Sequence, residues 1–264
     1  MTDPATPLDR AHAAMDAAPD DDALRLRFYD RLAEAELYLL LDKPPEDDRI
    51  DPTVFDAGEA RYALAFDLED RLADFVEGSV PYAALSGRRL AAMLAETGLG
   101  LALNPDVAPS AMLLDADAMR WLADTLADGP ARTEAQAREL TAPAGLPDAL
   151  LTALDGKLAT MAGRAAGAYL AGVTWDTGAR GHLLAFVDAA PGAEDALARA
   201  VHEALAFSGL EAGSLDVMFL RAADGVAARL GRVGLRFDLP APAAPEQTVR
   251  PAPGSDPDRP PRLR

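Results

Sequence analysis

The stretch DALRLRFYDRLAEAELYLLL, residues 22–41, holds the change of period that decides the fold. Leu24, Phe28 and Leu32 recur every four residues between Asp22 and Glu34, which lines them along one face of an amphipathic helix. Glu36 to Leu41 is short and aliphatic, a strand instead of a second helical run. A helix running into a strand, with more such pairs downstream, predicts an α/β protein with mixed sheets.

Working outward, Asp42 to Asp51 holds Pro44, Pro45 and five acids and reads as a loop. Thr53–Phe55 and Arg61–Phe66 flank Asp56-Ala57-Gly58, a hairpin signal. Asp67 is expected to cap a short helix bearing Leu68, Leu72, Phe75 and Val76, which Gly78 stops. A helix over Arg88–Thr97 ends at Gly98, and a strand over Leu99–Leu103 runs into Asn104-Pro105. Ala111–Leu114 reads as a strand, and Asp115 caps a helix reaching Leu126. Residues 1–130 thus form a first domain. Residues 131–147 form a breaker-rich linker, with one helical turn expected around Glu134 to Leu140. The second domain, 148–239, reads αββαβαβ: a helix over Asp148–Met161, strands over Ala166–Trp175 and Leu183–Val187, a helix over Glu194–Phe207, a strand over Leu215–Leu220, a helix over Asp224–Leu230 and a strand over Leu235–Leu239. Residues 240–264 contain eight prolines and few large apolar side chains. They read as a disordered tail, because such a segment cannot offset its ordering entropy by burial.

The 264 residues are 50% hydrophobic, enough for a sizeable core, and carry a net charge of -18. That charge repels a phosphate backbone and argues against nucleic acid as a partner. It is concentrated early: residues 1–127 hold 26 acidic and 11 basic side chains, residues 148–239 hold 11 and 8. The absence of cysteine removes disulfides, thiolate zinc sites, iron–sulfur clusters and cysteine nucleophiles together. Met1 to Arg10 lacks the pattern of a signal peptide, and the longest apolar runs fall far short of the roughly 20 residues that span a bilayer. A cytoplasmic location without membrane contact is expected.

Neither lysine, Lys43 or Lys157, sits in a phosphate-binding loop. Gly98 and Gly100 begin a GxGxxG pattern, but Leu103 takes the third glycine position and the segment opens a strand. The three histidines, His12, His182 and His202, are too far apart in sequence for a helical metal pair. The acidic runs at residues 20–22 and 46–48 lack the alternation of an EF-hand. No catalytic residue, metal site or cofactor is therefore assigned. Trp121 and Trp175 lie beside core aliphatics and read as packing. Asn104, with Pro105, is the candidate contact for a ligand or partner: it ends an apolar strand where open α/β sheets present ligands, and its amide both donates and accepts.

Several segments resemble the SseB family. In the first half these are Phe28-Tyr29-Asp30-Arg31-Leu32 running into Glu36–Leu41, Leu64-Ala65-Phe66-Asp67 with Glu69, Leu72 and Phe75, and Gly100-Leu101-Ala102-Leu103-Asn104-Pro105. The second half is similar to that family's C-terminal domain, with a leucine-rich helix before Ala168-Tyr169-Leu170 and a later helix before Leu215-Asp216-Val217. The resemblance spans residues 22–239. It implies a bacterial cytosolic protein of unsettled biochemical role, whose family name refers to enhanced serine sensitivity. Three readings follow: a non-enzymatic binding or interaction protein, which the lack of a nucleophile or metal motif favours; an enzyme of serine-related amino-acid metabolism with its site near Asn104; and an acidic subunit of a larger complex. The partner is a protein or a small molecule, and the oligomeric state is open.

Overall fold

A computed structural model describes residues 5–45, 50–76, 78–127, 136–209 and 215–239. Helix α1 (Pro7–Ala17) opens the chain. A capping box fixes its start, in which the Thr6 hydroxyl accepts from the Asp9 N–H and the Asp9 carboxylate accepts from the Thr6 N–H. Helix α2 (Asp22–Glu34), capped by Asp21, leads through Ala35 into strand β1 (Glu36–Leu40). The hairpin β2 (Val54–Ala57) and β3 (Ala60–Phe66) turns at Gly58, whose φ of 68° suits glycine. Then follow α3 (Glu69–Phe75), β4 (Tyr82–Ser86), α4 (Gly87–Thr97), β5 (Gly100–Leu103), β6 (Met112–Leu114) and α5 (Ala116–Ala127).

The first sheet has the order β4-β1-β3-β5-β6, with β2 sharing the β1 side of β3. The β3–β5 pair is parallel and the other pairs are antiparallel. One face packs against α1, α2, α4 and α5 through Leu8, Phe28, Leu32, Leu90, Leu94 and Met119. The opposite face, bearing Tyr38, Leu40, Tyr62, Leu64 and Phe66, is covered by α3 through Leu72.

The second half comprises β7 (Ala137–Thr141), α6 (Asp148–Thr160), β8 (Gly167–Trp175), β9 (Arg180–Val187), α7 (Glu194–Ala206), β10 (Leu215–Leu220), α8 (Gly225–Val233) and β11 (Leu235–Phe237). Its sheet has the order β10-β9-β8-β11. Strands β11 and β7 divide the remaining flank of β8, β11 taking Ala168–Leu170 and β7 taking Gly172–Trp175. Helices α6 and α7 cover one face through Leu154, Leu158, Leu197 and Val201, and Leu230 of α8 covers the other. The α/β class with two mixed sheets is thus observed. Among the described residues no helix is long and apolar enough to cross a membrane.

Three expectations change here. Residues 137–141 form β7 instead of a helical turn, because β8 offers them an unpaired flank. Asp67 does not cap α3: the cap residue is Leu68, and the Asp67 carboxylate is taken by Arg71. Helix α3 ends at Phe75 with Val76 as its cap, before Gly78 is reached. Helix α1 and strand β4 had no counterpart in the sequence reading. The expectation for residues 240–264 lies outside the described residues.

Gly87 shows how tightly α4 is set against α2. Its N–H donates to the Ala35 carbonyl at 2.8 Å, and a Cβ there would overlap the Leu32 carbonyl oxygen. Gly87→Ala is expected to cost about 1–3 kcal/mol as backbone is forced apart, read as a fall in the urea midpoint at unchanged slope.

Candidate functional site

The end of β5 was expected to present Asn104 to solvent. Instead Asn104 is 0% exposed, because the N-terminal part of α1 closes over the carboxyl ends of β3 and β5. Its φ of 47° turns the chain, and its own N–H donates to the Ala65 carbonyl at 2.9 Å. Its side-chain oxygen accepts from the Asp67 N–H at 3.0 Å, and its side-chain nitrogen donates to Ser110 Oγ at 2.9 Å. Ser110 donates onward to Asp9. Arg71 donates to both oxygens of Asp9 and to Asp67 Oδ1, and Thr6 donates to Asp67 Oδ2 at 2.7 Å. Pro105 is half-buried and Asp106 exposed at the tip of the turn.

This cluster ties α1, α3 and both strand ends through one guanidinium. Burial pushes the Asp9 carboxyl up, but the hydrogen bonds from Arg71 and Ser110 outweigh it and hold it down at about 2. Those bonds hold the Arg71 guanidinium more firmly charged than usual.

A second cluster lies between the two halves. Lys157, on α6, is 2% exposed and sits within the leucine stripe of that helix. Its Nζ is 2.7 Å from Asp30 Oδ1 and 2.8 Å from Glu34 Oε1, both on α2. It also donates to Glu203 Oε2 on α7 at 3.1 Å. Arg88 at the start of α4 grips Glu203 with two bonds of 2.8 and 3.0 Å, and Arg31 pairs with Glu34 at 2.9 Å. Burial opposes the charge on Lys157, but Asp30 and Glu34 overcome it and raise the ammonium above its usual range. Burial likewise opposes the charge on Glu203, and Arg88 and Lys157 outweigh it, lowering the carboxyl. At Asp30 burial wins over Lys157, and the carboxyl is raised. The Asp30 Oδ1 contact with Lys157 is charge pairing without a well-directed hydrogen bond, so Asp30 is the least satisfied member.

Beside this cluster, Trp121 of α5 stands edge-on to Tyr29 at 5.0 Å and to Phe207 at 6.3 Å, an aromatic contact between the halves. Trp175 donates its indole N–H to Asp216 at 3.2 Å. His182 Nε2 lies 3.0 Å from the Ala144 carbonyl. Among the described residues no three His, Asp or Glu side chains are grouped so as to hold a metal ion.

Sequence reasoning placed Asn104 at the strand end and missed its closure by α1. It missed the Lys157 cluster outright. The signal was there: one of the chain's two lysines falls three residues after Leu154 and one before Leu158, in a stripe where a cation needs buried partners.

Two outcomes follow. Lys157→Met leaves Asp30, Glu34 and Glu203 facing one another and is expected to cost about 3–5 kcal/mol in urea unfolding at neutral pH. Asp9 titrates lower in the fold than its usual 3.8, so its contribution is complete above that value and disappears as pH falls toward about 2. The stability difference between the natural chain and Asp9→Asn should therefore shrink by about 2 kcal/mol over that window in unfolding curves measured at each pH.

Residues 8–121 match the family model described as the SseB protein N-terminal domain. No curated protein and no solved structure matches the chain significantly. The match takes in α2 through β6 together with the Asn104-Pro105 turn and most of α1, so residues 8–121 are similar to the SseB N-terminal domain.

Proposed function

We propose that the chain is a bacterial cytosolic binding or interaction protein and not an enzyme, with residues 148–239, together with the β7 strand that joins their sheet, as the family's second domain. One observation carries this reading. The buried ionisable groups from which acid–base or nucleophilic chemistry would start, Asp9, Arg71, Asp30, Lys157 and Glu203, neutralise one another and hold elements together. What the described surface offers instead is apolar: Phe75, Tyr82, Leu113, Trp121 and Leu235 are each more than a third exposed.

Contact at the Asn104-Pro105 turn remains part of the proposal in a narrower form. The Asn104 amide is committed to Asp67 and Ser110, so Pro105 and Asp106 are the atoms a ligand or a partner backbone reaches.

The test sets the purified chain against amino acids, serine foremost, and phosphorylated metabolites, following turnover and thermal shift, beside affinity capture with Leu113→Asp as control. A partner that is captured by the natural chain and released by a surface variant of unchanged melting temperature supports the reading. Turnover of serine or any metabolite by the purified chain overturns it.

A further inference from the structure

The outer face of the first sheet carries an aromatic shelf at its β4 edge. The register pairs Leu40 with Tyr82 and Tyr38 with Ala84, which places Tyr38 and Tyr82 diagonally on one face with their rings 5.7 Å apart. The shelf adjoins an open cleft of about 500 Å³ lined by Pro44, Pro45, Ser79, Val80, Pro81 and Tyr82. Tyr82 is 38% exposed, and Phe75, leaning on Phe66 at 5.2 Å, is 37% exposed. Each tyrosine hydroxyl donates to a carboxylate, Tyr82 to Glu69 at 2.7 Å and Tyr38 to Glu36 at 3.3 Å. The cleft lining carries no charge, and Glu69 and Glu36, both exposed, lie at the hydroxyl ends of Tyr82 and Tyr38.

A tyrosine pair bordering a proline-lined cleft, with acids at the hydroxyl ends, matches one kind of occupant. Ring edges and faces pack against prolines in the extended polyproline helix, and the carboxylates pair with arginines flanking them. This chain carries such a segment: Arg259-Pro260-Pro261-Arg262-Leu263-Arg264 has three arginines and no acid. The 19 residues between Leu239 and Arg259 span up to about 60 Å when extended at ~3.1 Å each, against the ~50 Å breadth of a folded chain of this size.

We propose that the Tyr38–Tyr82 cleft is a docking site for an arginine-flanked proline segment, and that the occupant is Arg259–Arg262 of the same chain. This goes beyond the interaction role, because the ligand is internal. A docked tail covers the Tyr38–Tyr82 pair, and a partner bearing the same kind of segment has to displace it.

The test uses the full chain and a variant with Arg259→Ala, Pro260→Ala, Pro261→Ala and Arg262→Ala together. Backbone amide spectra of the two are expected to differ at Glu36–Leu40 and Tyr82–Ser86 and to coincide along β9. A synthetic peptide of residues 250–264 added to the variant should restore the shifts, more weakly in high salt. Adding Tyr82→Ala to the variant should weaken that peptide about tenfold or more, with unchanged β9 amides showing that the fold survives. Identical spectra at β1 and β4, or peptide binding indifferent to Tyr82→Ala, overturn the proposal. Tail-dependent dimers in sedimentation, with shifts that grow with protein concentration, give the cleft to a second copy's tail and overturn the intramolecular form.

Discussion

The ammonium of Lys157 is the point on which the two halves of this protein depend together. It is a charge taken out of water, which an apolar interior does not tolerate alone, and its three carboxylate neighbours come from α2 and α7. Two of them belong to the first half and one to the second. A buried pair between nearby elements fixes one helix against another. This one fixes two hydrophobic cores against each other, because any relative slide strands a cation or a carboxylate in a dry junction. Arg88 adds a second crossing by gripping Glu203 from α4. Such a junction contributes orientation more than net stability, since the desolvation of the charges offsets much of their attraction.

The first half has its own version of the same device. Arg71 gathers Asp9 and Asp67, and Asn104 and Ser110 complete the chain of hydrogen bonds. Here the element being located is α1, whose apolar contribution is small: Leu8 and Ala11 are its buried hydrophobic residues. A helix of that length with so narrow an apolar face is marginal by itself. Its polar end decides where it sits, and where it sits decides that the carboxyl ends of β3 and β5 are closed.

Much of this was legible in the sequence wherever the cause is local. Helix α2 has the bounds its stripe predicts, Gly98 takes the left-handed conformation that ends α4, and Asp115 accepts from the Ala118 N–H to cap α5. The elements that escaped are those made by their neighbours. Tyr82-Ala83-Ala84-Leu85-Ser86 has two alanines and little strand preference, and it is a strand because β1 offers it an edge. Ala137–Thr141 has no clear alternation and is a strand because β8 has an unpaired flank. At the candidate site, the position of Asn104 followed from the apolar run before it, but its burial follows from α1, nearly a hundred residues away in the sequence. The Lys157 junction needed the partners' positions, which no spacing within one helix supplies.

The shared flank of β8 has a bearing on synthesis. Strand β7 leaves the ribosome before β8 and can take its place at once, whereas β11, which completes the same flank, ends at Phe237. The first half has all its strands by Leu114 and can gather its core while the rest is still being made. Its carboxylates at Asp30 and Glu34 then wait in water, hydrated and without strain, until α6 delivers the lysine that dries the junction. The second half is thus sealed from both ends of its own sequence, and the charge cluster can form only after α6 and α7 have been made.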